Sequence, residues 1–87
     1  PLADKWRAFG WAAREIDGHN PAEILAAATW AQGVTAKPQI IICHTVKGKG
    51  VSFMENVPRW HGTKPPSPGE LAAALAELDA LERGLRT

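Results

Sequence analysis

The chain has 87 residues, of which 45% are hydrophobic and 22% charged, and its formal net charge is +1. This length allows one domain, and the composition is typical of a globular protein rather than a disordered one. The near-neutral charge excludes the electrostatic surface that nucleic acids or anionic membranes require, so we expect neither as a partner. No apolar run in the sequence approaches the length of a membrane span, and no signal peptide is visible.

A single cysteine, Cys43, lies inside an apolar run and cannot form an internal disulfide. Because a buried thiol suits a reducing compartment, we expect a cytoplasmic protein. The chain begins with Pro1 instead of Met, which indicates a processed product, a fragment or the ordered part of a longer protein. Four tryptophans are many for so small a core, and we expect some to be buried against another chain or another part of the same one.

The first predicted elements are a short helix and a strand. Leu2, Trp6 and Phe9 are spaced to share one face of a helix over residues 2–9, and the glycine that follows is a typical stop. Residues 11–17, WAAREID, then predict a short strand that ends at the turn DGHN.

Three independent signals mark the start of a second helix. Asn20 can cap it, Pro21 suits its first position, and Glu23 stands where the acid of a capping box belongs. We expect this helix to end near Gly33, and its many alanines leave a smooth face that can approach a sheet closely. Its predicted apolar stripe consists of Ile24, Leu25, Ala28 and Ala31.

The second half of the chain predicts a strand, a long loop and a third helix. Residues 39–46, QIIICHTV, lack polar alternation, which predicts a strand covered on both faces. A loop follows over residues 47–66, and loops of this length are usually functional or lack their structural context. Ser67, Pro68 and Glu70 repeat the helix-start signal, so a leucine-lined helix is predicted from there to the end of the chain.

The predicted order is α-β-α-β-α, in which a strand, a crossover helix and a second strand imply parallel pairing with a right-handed connection. Two strands do not form a doubly covered sheet by themselves. Residues 1–87 are therefore predicted to be an α/β fragment, one part of a larger doubly wound parallel sheet. Ligands of such sheets bind beyond the carboxyl ends of the strands, where the DGHN turn and the long loop both lie.

The long loop begins with Lys47, Gly48, Lys49 and Gly50. Glycines let backbone N–H groups approach an anion, and lysines add positive charge. The spacing differs from that of a P-loop or a dinucleotide fingerprint, and the alternative is a turn that requires a positive φ at Gly48 or Gly50.

The three histidines have different expected roles. His61 lies on the loop, where it is either a proton donor and hydrogen-bond donor for a substrate or an ordinary surface residue. His44 ends the second strand and is expected to be a packing histidine, whereas His19 is expected to bond within its own turn. Together with Cys43 they lack the spacing of a zinc site, so we assign no metal ligand.

Four segments in order resemble a known family: PLADKWRAFGW, IDGHN, KPQIIICHTVKGKGVSFMEN and WHG. In order and spacing they resemble the N-terminal half of transketolase, and most closely the bacterial and archaeal type that is split into two chains. Deoxyxylulose-phosphate synthase has similar segments and is the nearest competitor, although GVSFMEN followed by WHG favours transketolase.

The resemblance implies a thiamine diphosphate-binding fold in which this chain is a partial pyrophosphate-binding domain. It implies an enzyme that uses thiamine diphosphate and a divalent ion, usually Mg²⁺ or Ca²⁺, to transfer a two-carbon ketol unit between sugar phosphates. The implied partners are the remainder of the transketolase N-terminal half and the C-terminal, pyrimidine-binding subunit.

The resemblance also implies roles for individual residues. His61 matches a family histidine that is expected to reach the substrate and the reacting carbon of the thiazolium, where it would assist proton transfer. Val46, Lys47 and Gly48 match the strand end and turn beside the diphosphate and thiazolium, and we expect them to bind the cofactor.

The family's main metal and diphosphate motif, Gly-Asp-Gly followed by a downstream Asn, is not among these 87 residues. We therefore expect the isolated chain to be inactive. The alternatives are a non-catalytic remnant or interaction module of this fold, and a part of a deoxyxylulose-phosphate synthase-like enzyme.

Overall fold

The computed structural model describes residues 1–62 and 64–86, and its elements follow the predicted α-β-α-β-α order. The elements are α1 (Leu2–Ala8), β1 (Ala12–Asp17), α2 (Pro21–Gly33), β2 (Gln39–His44), a short 3₁₀-helix (Pro58–Trp60) and α3 (Pro68–Leu85). The chain groups into two compact units, Pro1–Thr45 and Val46–Thr87.

The first unit is built on a parallel pair of strands joined by a crossover helix. β1 and β2 pair in register from Ala12 opposite Gln39 to Asp17 opposite His44, which confirms the predicted parallel pairing. α2 packs against both strands, and Ala27 is fully buried. Of the predicted stripe, Ala31 is half-buried, whereas Ile24, Leu25 and Ala28 are exposed. The alanine-rich helix therefore does lie close to the sheet, and Ala27 is its most buried residue.

The capping of α2 confirms one predicted signal and corrects another. The Asn20 side-chain oxygen accepts the backbone N–H groups of Ala22 at 3.0 Å and Glu23 at 3.3 Å, as a cap should. The capping box predicted at Glu23 is not formed, because this carboxylate accepts the backbone N–H of Asp17 at 3.2 Å instead. Glu23 thus ties the end of β1 to the first turn of α2.

The described residues of this chain do not cover β2 on both faces, and its coverage within a larger sheet stays a prediction. Residues 39–42 are half-buried, and Cys43 and His44 are exposed, because a single crossover helix cannot cover a two-stranded sheet. His44 is therefore not a packing histidine; its Nε2 lies 2.8 Å from the Glu15 carboxylate on the neighbouring strand. The strand also ends two residues before the predicted position 46.

All four tryptophans are half-buried and have ring partners among the described residues. Trp6 and Trp11 meet edge to face with ring centroids 4.8 Å apart, and the Arg14 guanidinium lies 4.7 Å from the Trp30 ring centroid. These contacts satisfy part of the tryptophan surface within the chain, and their burial against further protein stays a prediction.

The second unit consists of the long loop and α3. Among the described residues of this unit, Val51 from the loop and Ala74 from α3 are buried, whereas the leucines of α3 are between 43% exposed at Leu78 and 88% exposed at Leu85. The predicted capping box of α3 is confirmed, since Ser67 and Glu70 each accept the other's backbone N–H. No helix among the described residues is both long and apolar enough to cross a membrane.

Candidate functional site

The loop after β2 opens with a tight turn that depends on two glycines. Gly48 and Gly50 have φ values of +72° and +99°, which confirms the turn interpretation of this segment. The turn is closed by hydrogen bonds from Lys49 N–H to the Val46 carbonyl at 3.2 Å and from Val51 N–H to the Gly48 carbonyl at 3.1 Å.

A second set of contacts closes the loop on itself. The Asn56 N–H donates to the Lys47 carbonyl at 2.9 Å, and Asn56 has a left-handed φ of +59°. Between these residues, the Met54 backbone passes so close to Gly48 that a Cβ there would lie 2.5 Å from the Met54 carbonyl oxygen. The predicted loop is thus a compact structure in which the backbone can approach only because residue 48 has no side chain.

The WHG segment is held by the 3₁₀-helix Pro58–Trp60. The His61 backbone N–H donates to the Pro58 carbonyl at 2.9 Å, and His61 is exposed to solvent. The Trp60 ring packs edge to face against Phe53 with centroids 5.8 Å apart. Its buried indole Nε1 finds no hydrogen-bond partner among the described residues.

A cavity of about 110 Å³ lies between the opening turn and this 3₁₀-helix. It brings together three of the four residues predicted for the site, Lys47, Gly48 and His61. Val46 is not part of its lining; it is half-buried and accepts the Lys49 N–H through its carbonyl oxygen. The complete lining is Lys47, Gly48, Met54, Val57, Trp60 and His61.

Three lining residues, Met54, Val57 and Trp60, were not predicted as site residues. Trp60 could have been found because it directly precedes His61 in a segment that the resemblance had singled out. Met54 and Val57 have no comparable sequence signal, since their place in the cavity depends on the contact between Gly48 and the Met54 backbone.

Lys64 makes a cationic contact with the aromatic wall of the site. Its ammonium lies 4.2 Å from the Trp60 ring centroid and pairs with both Glu70 carboxylate oxygens at 3.1 and 3.2 Å. The Ser67 backbone N–H, followed by the Lys64 ammonium, lowers the pKa of Glu70. Glu70 is therefore ionised at neutral pH, and the pair connects the Trp60 ring to the N-terminus of α3.

The site offers a cation at Lys47 and an exposed histidine, His61. The cavity volume of about 110 Å³ is well below the roughly 300 Å³ of a complete small-molecule pocket. Among residues 1–62 and 64–86, no group of three or more His, Cys, Asp or Glu side chains is arranged to hold a metal ion.

A parallel strand pair joined by a crossover helix and followed by a glycine turn defines a piece of an α/β domain. The family model described as transketolase, thiamine diphosphate binding domain, matches residues 1–75. The chain belongs to this family.

Three relatives illustrate the similarity. A 6-deoxy-6-sulfo-D-fructose transketolase subunit of Clostridium sp. (strain MSTE9) is 47% identical over 91% of this chain and 28% of its own length. An apulose-4-phosphate transketolase subunit of Phocaeicola vulgatus is 39% identical over 74% of this chain and 23% of its own length. Transketolase-like protein 2 of Homo sapiens is 42% identical over 82% of this chain and 11% of its own length.

The chain spans about a quarter of the two bacterial relatives and a smaller part of the human one. The matched region contains β2, the glycine turn and His61, because the family model extends through residue 75.

Proposed function

We propose that this chain is a component of a thiamine diphosphate-dependent transketolase that transfers a two-carbon ketol unit between sugar phosphates. The observation that carries the proposal is the cavity in which Lys47, Gly48 and His61 meet, on the loop that leaves a parallel strand of this family's cofactor-binding domain. This combination supports a catalytic role more than a non-catalytic remnant, which would have no need to keep the three residues together.

The residues present fit one edge of the cofactor. Gly48 lines the cavity, where its missing Cβ leaves room for the Met54 backbone of the same loop, and the exposed Lys47 ammonium complements a phosphate group. Thiamine diphosphate, when bound, supplies an electron sink for the carbon at which the ketol bond breaks. The main diphosphate and Mg²⁺ motif lies outside this chain in the proposal.

His61 is the proton-transfer residue in this proposal. An imidazole can take a proton from a substrate hydroxyl at one ring nitrogen as the carbon–carbon bond breaks, and return it to the acceptor oxygen when the new bond forms. Because the ring is exposed at the cavity, it is available to a substrate that arrives from outside the loop. The apolar groups of Met54, Val57 and Trp60 exclude water on the inner side.

The partners in this proposal are the rest of the pyrophosphate-binding half and a pyrimidine-binding subunit, in the cytoplasm. Support comes from the relatives whose names describe them as transketolase subunits. The 87 residues alone are proposed to be inactive and to bind thiamine diphosphate weakly. Calorimetric titration with thiamine diphosphate and Mg²⁺ tests this, and micromolar binding by the isolated chain would contradict it.

The role of His61 is tested in the active assembly that contains this chain. His61→Ala is expected to lower kcat by about 100-fold or more while cofactor affinity changes little, because general acid–base catalysis contributes that much. His19→Ala, in the DGHN turn, is the matched control for the loss of an exposed imidazole. Unchanged turnover in His61→Ala would remove this residue from the mechanism.

The reaction class is tested by product analysis with the same assembly. Xylulose phosphate with ribose phosphate is expected to give ketol transfer. Product formation only from pyruvate with glyceraldehyde phosphate would assign the chain to a deoxyxylulose-phosphate synthase-like enzyme instead. No turnover with either pair, from an assembly that binds the cofactor, would favour the non-catalytic remnant.

A further inference from the structure

We propose that Lys64 is a positioning residue that holds the 3₁₀-helix next to His61 against the N-terminus of α3, a role that rests on the proposed function of His61. The Lys64 ammonium donates to both carboxylate oxygens of Glu70, at 3.2 and 3.1 Å. The same ammonium lies 4.2 Å from the Trp60 ring centroid, well within the range of a cation–π contact. One side chain therefore joins the aromatic neighbour of His61 to the first turn of a helix.

The Glu70 end of this connection is firmly placed. Glu70 Oε1 also accepts the Ser67 backbone N–H at 2.9 Å, while the Ser67 hydroxyl accepts the Glu70 N–H at 3.2 Å. The carboxylate is held by the backbone N–H of Ser67, whereas the Ser67 hydroxyl caps the helix through the Glu70 backbone. The Lys64 and Glu70 side chains are 39% and 32% exposed, so the pair lies at the protein surface.

The Trp60 ring contacts Phe53 edge to face and two cationic side chains, Arg59 and Lys64. Its indole N–H has no hydrogen-bond partner among the described residues, so no polar bond fixes the ring's rotation. The Arg59 guanidinium also faces the ring, but at 5.5 Å from the centroid and from the adjacent position in the chain. Lys64 is closer and is the contact that also reaches α3 through Glu70.

The position of His61 depends on this ring. His61 follows Trp60 directly, and its backbone N–H bonds to Pro58 within the same short 3₁₀-helix. If the ring tips, the turn that carries the imidazole moves with it. Small misplacement of a catalytic group reduces turnover strongly while leaving substrate binding largely intact.

Four substitutions in the active assembly separate charge, contact and helix capping. Lys64→Met keeps the length of the side chain and removes its charge, whereas Lys64→Arg keeps a cation that can pair with Glu70 and stack on Trp60. Glu70→Gln removes the charge and can still accept the Ser67 N–H, since glutamine also serves in a capping box. Ser67→Ala removes the capping hydroxyl and leaves the Lys64–Glu70 pair in place.

Lys64→Met and Glu70→Gln are each expected to lower kcat by about tenfold with KM and cofactor affinity within about twofold of wild type. Lys64→Arg and Ser67→Ala are expected to keep wild-type kcat, although Ser67→Ala lowers the melting temperature. Wild-type kcat in both Lys64→Met and Glu70→Gln would overturn the proposal, as would a loss in Ser67→Ala as large as that in Glu70→Gln. If Lys64→Met does not assemble, Glu70→Gln alone decides the outcome.

A double-mutant cycle shows whether Lys64 acts through His61. In a His61→Ala background, Lys64→Met is expected to cause no further loss of kcat, because there is no imidazole left to position. A full additional tenfold loss in that background would overturn the positioning role while leaving the function of His61 intact. Wild-type turnover in His61→Ala alone would instead overturn the proposed function, and the role of Lys64 with it.

Discussion

Replacing Gly48 by alanine is expected to destabilise the protein by about 3 kcal/mol. An alanine at a φ of +72° costs about 1–2 kcal/mol through its own backbone strain. The new Cβ would also lie 2.5 Å from the Met54 carbonyl oxygen and 2.7 Å from the Met54 Cβ, roughly 1 Å inside ordinary contact distance. Relieving this clash separates the two sides of the loop and breaks the Asn56–Lys47 hydrogen bond, which adds about 1 kcal/mol.

Two further alanine substitutions separate the effect of the steric clash with Met54 from the effect of the positive φ. Gly62 has a φ of +86° and nothing within 4 Å of an added Cβ, so Gly62→Ala should show the strain alone, about 1–2 kcal/mol. Gly84 lies in α3 with ordinary φ and open space, so Gly84→Ala should stabilise the protein by about 0.5–1 kcal/mol.

The assay is urea unfolding monitored by tryptophan fluorescence. The free energies of unfolding are compared between variants that have the same m-value, the slope of the free energy against urea concentration. The reasoning predicts that Gly48→Ala is more destabilising than Gly62→Ala by more than about 1 kcal/mol. Equal losses in the two variants would refute it, because the Met54 backbone would then have moved aside without cost.

Two other predictions concern a packing contact and a titration. Ala27→Leu should destabilise the protein by about 1–3 kcal/mol, because Ala27 is fully buried and a larger side chain has no room against the sheet. Ala28→Leu, at an exposed position, should change the free energy of unfolding little. Urea unfolding of both variants checks this. Because the pKa of Glu70 is lowered in the folded protein, its carboxylate stabilises the fold at neutral pH, and this contribution is lost as the pH falls through the lowered value. The difference in unfolding free energy between wild type and Glu70→Gln should therefore shrink on going from about pH 7 to about pH 3, and a constant difference would contradict this cause.

Local signals predicted the helices well. Asn20 and Ser67 each cap the helix that the sequence assigned to them, because a cap depends on residues within one turn. Glu23 is an exception, because its hydrogen-bond partner lies outside its own helix. The same carboxylate could bond to its own helix or to the end of β1, and only the packing of the strand beside the helix decides between the two.

Burial was harder to predict than element type. The strand predicted over residues 39–46 forms over residues 39–44. An apolar pattern indicates that a strand can be covered, but it does not show which elements cover it. Cys43 and His44 are exposed for this reason. Likewise, the positive φ at Gly48 followed from residue type, whereas the cavity that joins it to His61 depends on the non-local contact with the Met54 backbone.

The two-stranded sheet of the first unit also bears on self-association. β2 lies beside β1 alone among the described strands, so its other edge presents unpaired backbone groups. Its sequence, QIIICH, combines β-branched residues with no Asp, Glu, Lys, Arg or Pro, which is typical of segments that nucleate cross-β aggregates. β1 carries Arg14, Glu15 and Asp17 as charged gatekeepers, and β2 has no counterpart. A protein chain that pairs with the open edge of β2 would therefore also reduce aggregation through this strand.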